Sequence, residues 1–320
     1  MKKRIFTSVG IVIALALLFV LKAYVTNYFF DAFFAVVACF AAYETSRILN
    51  KIGFFGYQSL SVIFPALLVG SNLIGIYYAG QTKDLYWILW TILIDLSLVV
   101  FVGLCAFLYG IFTRKSTLNE MKVREIENMS VARFSFKKTL GTIITFLYPT
   151  FLFLFMTFIN HIGELGLSKF EGLSIDPSIF LLLSALLIPM LTDTFAMLTG
   201  SVIGGKKLCP KLSPKKTISG AVGGVLWAVL LTACVYLVFG CAESYKALFE
   251  VLPIWAYLLI VFFGSMISQG GDLFESSLKR RANLSDSGNL LPGHGGMLDR
   301  IDSYIFIAPY VFLLFMIIAV

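Results

Sequence analysis

The sequence predicts an all-α, polytopic integral membrane protein of about nine transmembrane helices, N-terminus cytoplasmic and C-terminus outside. Three observations carry this. Of the 320 residues, 59% are hydrophobic and 13% charged, with a mean hydropathy of +0.90, outside the range of a soluble globular chain. Nine segments reach the roughly twenty apolar residues that cross a hydrocarbon core. The basic residues also alternate in abundance from one connecting loop to the next, as the positive-inside tendency requires.

The first segment, about 5–25, follows Met-Lys-Lys-Arg, the charge pattern of a signal peptide. It lacks a small-x-small cleavage site and runs straight into more apolar sequence, so it reads as a retained span. Further spans are expected at about 29–48, 58–79, 85–112, 140–160, 178–203, 219–239, 250–270 and 303–320. With the N-terminus inside, 21 of the 25 Lys and Arg fall on the cytoplasmic side, and only Lys22, Lys83, Lys169 and Lys246 fall outside. A multi-pass protein of the cell inner (plasma) membrane follows. Residues 1–139 form an N-terminal helical region ending in a basic stretch, 113–139, that reads as a positive-inside loop or a segment attracting anionic lipid. Residues 140–320 carry the unusual polar motifs. The net charge of +7 does not point to nucleic acid, because its basic residues sit in short stretches between apolar runs without any binding module. Five cysteines without Cys-x-x-Cys spacing predict neither a disulfide framework nor a zinc site.

The polar chemistry gathers between Ser276 and Asp302. That stretch holds Lys279, Arg280 and Arg281 in sequence, the acids Asp286, Asp299 and Asp302, and a Gly-His-Gly-Gly turn at Gly293, His294, Gly295 and Gly296. These are the parts a phosphate-and-metal site requires. If the eighth span stays helical beyond residue 270, Asp272, Ser276 and Lys279 fall at i, i+4 and i+7 on one face. Asp299 and Asp302 fall at i and i+3 in the first turn of the ninth helix, a pair able to hold divalent cations or simply to cap the helix. Backbone N–H groups of the glycine turn, with that helix N-terminus, can cradle an anionic phosphate. His294 either contacts phosphate, orients a carboxylate or is structural. Upstream, Ser213, Lys215, Lys216 and Thr217 offer two hydroxyls and two ammonium groups to a triphosphate or lipid headgroup, or form an ordinary basic loop. Asp193 and Asp95 are intramembrane acids that can line a polar cavity, Asp95 more in keeping with a buried hydrogen-bonded role. His161, near Glu164 and Glu171, is assigned no function.

From Ser276 to Asp302 the chain resembles the phosphatidate cytidylyltransferase, or CDP-diacylglycerol synthase, family: Ser-x-x-Lys-Arg, then Asp286-x-Gly, then Leu-Pro-Gly-His-Gly-Gly-x-x-Asp-Arg-x-Asp. Asp193-Thr-Phe-Ala, Ser213-Pro-Lys-Lys-Thr and Gly271-Asp-Leu-Phe-Glu-Ser resemble it too, so the recognisable motifs cover about 190–302. The resemblance implies transfer of the cytidylyl group of CTP to phosphatidic acid at the cytoplasmic face, with magnesium and a candidate second ion, potassium. It implies metal-site acids at Asp272, Asp299 and Asp302, with Lys279 and Asp286 beside them as catalytic residues. Substrate binding would fall to Asp193, Ser213, Lys215, Lys216, Thr217, Ser276, Arg280, Arg281, the four residues of the glycine turn and Arg300. Two positions depart from the pattern: Ser285 stands where a lysine usually precedes the aspartate, and Ser219 where a glutamate is common. The missing lysine removes a phosphate-binding charge that Arg281 or Lys279 is placed to replace.

Two other readings stay open: an enzyme acting on another lipid phosphate, and a secondary transporter. A transporter predicts broken helices in paired repeats with polar groups at the bilayer midplane, whereas here they concentrate in loops on one side. Monomer and homodimer are both compatible with the sequence.

Overall fold

The computed structural model describes the backbone of residues 2–121, 130–165, 167, 176–290 and 295–319, and the side chains of these except 2–9, 11, 62 and 113–121. Its helices are α1 Lys2–Tyr24, α2 Tyr28–Ile52, α3 Leu60–Thr82, α4 Tyr86–Met121, α5 Val131–Thr145, α6 Phe155–Asn160, α7 Ser178–Ile203, α8 Ile218–Gly240, α9 Lys246–Val251, α10 Ile254–Arg281 and α11 Leu298–Ala319. A π-helical turn, Phe146–Phe151, joins α5 to α6. It contains Pro149, which has no N–H to donate to the ladder, and Leu152 N–H reaches back five residues to Leu147 O at 3.2 Å. Eight membrane-length apolar segments lie among the described residues, from Tyr28–Ile52 to Leu298–Ala319, and α5, the π turn and α6 count together as one, Val131–Asn160. The expected first span falls on α1, whose apolar stretch among the described residues, Val12–Tyr24, is shorter than these eight.

Several helices outrun the hydropathy boundaries. α4 continues to Met121, α5 begins at Val131, α10 runs to Arg281 and α11 starts at Leu298. Apolar length marks only the part of a helix that sits in hydrocarbon, whereas backbone hydrogen bonding continues wherever no breaker stops it. The basic loop expected at 204–218 also contains a small antiparallel hairpin, β1 Lys207–Cys209 with β2 Ser213–Thr217. Gly204 and Gly205 (φ +66° and +104°) turn the chain out of α7 into it, a conformation favouring glycine. Thr217 Oγ1 then accepts from Gly220 N–H at 3.1 Å and caps α8.

Two close approaches position the polar end of the bundle. α7 and α8 meet through small residues: a Cβ on Gly220 would lie 2.5 Å from Ala196 O, and one on Gly224 2.6 Å from Thr192 O, the packing membrane helices use to bring backbones together. α10 and α11 approach at Gly271, where a Cβ would stand 2.7 Å from Asp302 O. The apolar core mixes aliphatic and aromatic side chains, with Phe30, Phe34, Phe158, Phe180, Phe312 and Phe315 all buried. Asp95 is buried on α4, beside Ser71.

The opposite end of the bundle is tied by a second polar network. Lys22 Nζ donates to Asn27 Oδ1 at 2.7 Å and to Asn160 O at 2.7 Å and pairs with Asp176 at 3.4 Å. Asn160 Nδ2 donates to Asp31 Oδ1 at 2.9 Å. His161, 1% exposed, places Nε2 2.7 Å from Asp31 Oδ2 and Nδ1 2.9 Å from Glu164 Oε2. Burial opposes the charged ring, but the two carboxylates outweigh it and push its pKa up to about 9. In return, and against burial, the imidazolium holds Glu164 below the usual carboxylate range. Glu171 lies outside the described residues. A raised histidine pKa gives stability that is complete below the unfolded value near 6.5 and is lost as pH rises through about 9. The detergent-solubilised protein is therefore expected to lose roughly 2–4 kcal/mol over that window. A thermal midpoint flat from pH 6.5 to 9.5, or a decline just as steep in His161→Gln, would contradict the pairing.

Candidate active site

Because α10 stays helical to Arg281, Asp272, Ser276 and Lys279 line one face, as the spacing predicts, and Glu275 joins them. The close approach at Gly271 sets this face against the first turns of α11. Asp302, 8% exposed, lies within electrostatic range of Asp272 and Asp193, and its Oδ1 accepts from Ser303 N–H at 2.7 Å. Ser303 Oγ donates to Asp193 Oδ2 at 3.3 Å. Ser276 Oγ donates to Asp272 Oδ1 at 3.3 Å, and Lys216, from β2, pairs with Asp272 Oδ2. Asp193, with Lys216 and Arg300 also in its field, completes a group of three acids from α7, α10 and α11. Like charges this close repel, and Lys216 makes a direct ion pair with one of them, Asp272. The group is therefore acidic at its centre, with Lys216 and Arg300 at its edge.

Asp299 does not join that group, although it shares a helix turn with Asp302. Its Oδ1 accepts from Lys279 at 2.6 Å. Its Oδ2 accepts from Ser287 N–H at 2.9 Å and Gly296 N–H at 2.8 Å, with Ser287 Oγ at 2.9 Å. Lys279 also pairs with Glu275 at 2.5 Å, so it bridges two acids across the α10–α11 contact. Of the three expected metal-site acids, Asp272 and Asp302 thus lie in the field of Asp193, while Asp299 is occupied by a lysine and backbone donors. Among the described residues, no group of three or more His, Cys, Asp or Glu forms a preformed metal cage. The acids of α7, α10 and α11 meet through Lys216 and Ser303 instead of a closed ring of oxygens.

The remaining expected residues form the rim. Arg280 holds the hairpin, donating from Nε to Leu212 O at 3.2 Å and from its guanidinium to Leu284 O at 3.0 Å. Lys215, Arg281, Asp286 and Arg300 are exposed, and Ser213 is half-buried at the start of β2. Thr217 is committed to capping α8. Ser285, at the lysine position of the motif, donates to Asp286 at 2.9 Å, and Ser219 donates to Gly204 O. Gly295 is left-handed (φ +84°), while Gly293 and His294 lie outside the described residues.

Sequence reasoning missed three buried groups here. Glu275 is fully buried beside Lys279. Tyr148, on the π turn, is buried with its hydroxyl unpartnered, in the field of Asp302, Glu275 and Asp272 and against Phe274 and Phe306. Glu44, on α2, reaches the loop before α11. The proline inside an apolar run was the one signal for Tyr148, since local helix defects cluster at functional sites.

The model of the family described as "Cytidylyltransferase family" matches residues 2–318. A Staphylococcus saprophyticus protein named phosphatidate cytidylyltransferase is 33% identical over 61% of this chain and 69% of its own length. Proteins of the same name from Bacillus subtilis and Staphylococcus epidermidis are 43% and 42% identical over 38% and 40% of this chain. These two alignments span 42% and 46% of the relatives' own lengths, less than half of each.

Proposed function

The chain belongs to the cytidylyltransferase family, and on that premise we propose that it transfers the cytidylyl group of CTP to phosphatidic acid, releasing pyrophosphate and CDP-diacylglycerol. The observation that carries this reading is the convergence of Asp193, Asp272 and Asp302, with Lys216 beside them, where three membrane-length helices meet a basic hairpin. Both substrates are anionic, so the site has to neutralise charge before two phosphates can approach. Lys216, Lys215 and Arg300 are the cations placed to draw the triphosphate to the rim.

In the step itself, a phosphate oxygen of the lipid attacks the α-phosphorus of CTP. The bond from that phosphorus to the oxygen bridging to the β-phosphorus breaks, and pyrophosphate leaves with that electron pair. No covalent enzyme intermediate is needed. Magnesium, when bound, would stabilise charge developing on the transferred and departing phosphoryl oxygens, and the three acids offer it the carboxylate oxygens that such a hard cation takes, with Lys216, Arg300 and Lys279 offsetting part of their repulsion. Asp193, Asp272 and Asp302 would hold it. Asp299, Lys279 and Glu275 would keep α10 and α11 in register and so fix Asp272 against Asp302.

The proposed location is the bacterial plasma membrane with the acids facing the cytoplasm, supported by the 21 to 4 division of basic residues and by the bacterial relatives. Sealed vesicles of defined orientation test this. Inside-out vesicles given CTP and phosphatidic acid should release pyrophosphate, and right-side-out vesicles only after permeabilisation. The reverse sidedness would overturn the topology. Release with another lipid phosphate but none with phosphatidic acid would replace the acceptor.

A further inference from the structure

We propose that Glu44, from the half of the chain that carries no recognisable motif, is a positioning residue of the transfer reaction, stapling the two flanks of the glycine-rich segment to each other and to Asp299. This rests on the cytidylyl-transfer reading. Glu44 is 5% exposed, and a buried carboxylate is costly unless it is fully hydrogen-bonded. Its donors come from both sides of the segment. Ser287 Oγ lies 2.7 Å from Oε2, Leu298 N–H donates to Oε2 at 2.8 Å, and Met297 N–H donates to Oε1 at 3.0 Å. The last two are unsatisfied donors at the N-terminus of α11, where a carboxylate is favoured.

A plain helix cap explains those two bonds but not the rest. Ser287 Oγ sits between Glu44 and Asp299 Oδ2, at 2.7 and 2.9 Å. A hydroxyl has one hydrogen to give, so the two carboxylates are coupled through it, and Asp299 is in turn coupled to Lys279 and α10. Glu44 also accounts for two glycines of the motif. A Cβ at Gly288 would lie 2.3 Å from Glu44 Oε1, and one at Gly296 2.3 Å from Oε2 and 2.1 Å from Ser287 Oγ. Neither glycine has a left-handed φ, so a Cβ at either would act by displacing the Glu44 carboxylate, and at Gly296 the Ser287 hydroxyl as well. Two flanks of the motif thus meet one side chain of α2, and through Ser287 that side chain is tied to Asp299.

Glu44→Gln, in purified full-length protein in mixed micelles, tests this. The amide keeps one acceptor but turns N–H groups toward donors. The expected result is a kcat reduced by about 10- to 100-fold, the KM for phosphatidic acid within about twofold, and the magnesium concentration for half-activation raised about fivefold or more. Gly296→Ala should give the same pattern. Glu44→Gln combined with Ser287→Ala should be no worse than the poorer single variant, because both break one network. Glu44→Asp, which keeps the charge with a shorter reach, should recover part of kcat. Activity lost only in proportion to folded fraction, with kcat per active site and magnesium response unchanged, would reduce Glu44 to a structural residue and overturn the proposal, as would wild-type kinetics.

Amide exchange at 285–290 and 295–299 is read in parallel and needs no activity. Faster exchange in Glu44→Gln, beside a wild type that transfers no cytidylyl group, would sink the functional reading while keeping the staple. An active wild type whose exchange and kinetics are both insensitive to Glu44→Gln would sink the staple alone.

Discussion

Asp302→Asn is expected to abolish most turnover, by about a hundredfold or on the order of 2.7 kcal/mol in barrier, while leaving the protein at least as stable as wild type. The two halves of this prediction come from one fact. Asp302 is buried within the field of Asp272 and Asp193, so removing its charge relieves repulsion in the resting protein. The asparagine oxygen still accepts from Ser303 N–H. The same change deletes an anionic ligand from the proposed cation site, where charge must be in place as phosphate oxygens gain it. Turnover and thermal midpoint, measured on one preparation, check both halves. Near wild-type turnover would remove Asp302 from the chemistry. A large drop in midpoint would show that its charge serves the fold instead.

Lys279→Met should act in the opposite sense, costing stability first. Its ammonium serves Glu275 and Asp299, whose side chains are 0% and 6% exposed. Breaking a buried pair from one side leaves an uncompensated charge, a loss of about 3–5 kcal/mol. The expected outcome is poor yield and a strongly lowered midpoint in detergent, with partial recovery in Lys279→Met combined with Glu275→Gln, since the second change removes one stranded acid. A single variant as stable as wild type would mean that water already reaches these carboxylates.

The helical, membrane-spanning character of the chain was legible because hydropathy and helix length are local properties. So was the face shared by Asp272, Ser276 and Lys279, which needed only that α10 continue past the hydrocarbon edge. Partner choice was not legible. Asp299 and Asp302 look equivalent at i and i+3, yet one meets Lys279 and two backbone donors while the other meets Asp193, and tertiary packing at Gly271 makes that difference. Glu44 gave no signal because an acid followed by Arg47 and Lys51 near a helix end reads as a solvated boundary. Its role depends on α2 lying against the start of α11. The 207–217 hairpin was hidden by lysines and prolines that also suit an irregular loop.

In the proposed reaction one lipid phosphate displaces pyrophosphate from CTP at the acids of α7, α10 and α11. CTP labelled separately at the α- and γ-phosphorus, incubated with the purified protein and phosphatidic acid, tests it most directly. The α-label is expected to enter a chloroform-soluble product in equal amount to the pyrophosphate released, the γ-label to appear only in pyrophosphate, and Asp302→Asn to reduce both together. Transfer of γ-label to lipid would make the protein a kinase, and α-label confined to the aqueous phase would contradict cytidylyl transfer.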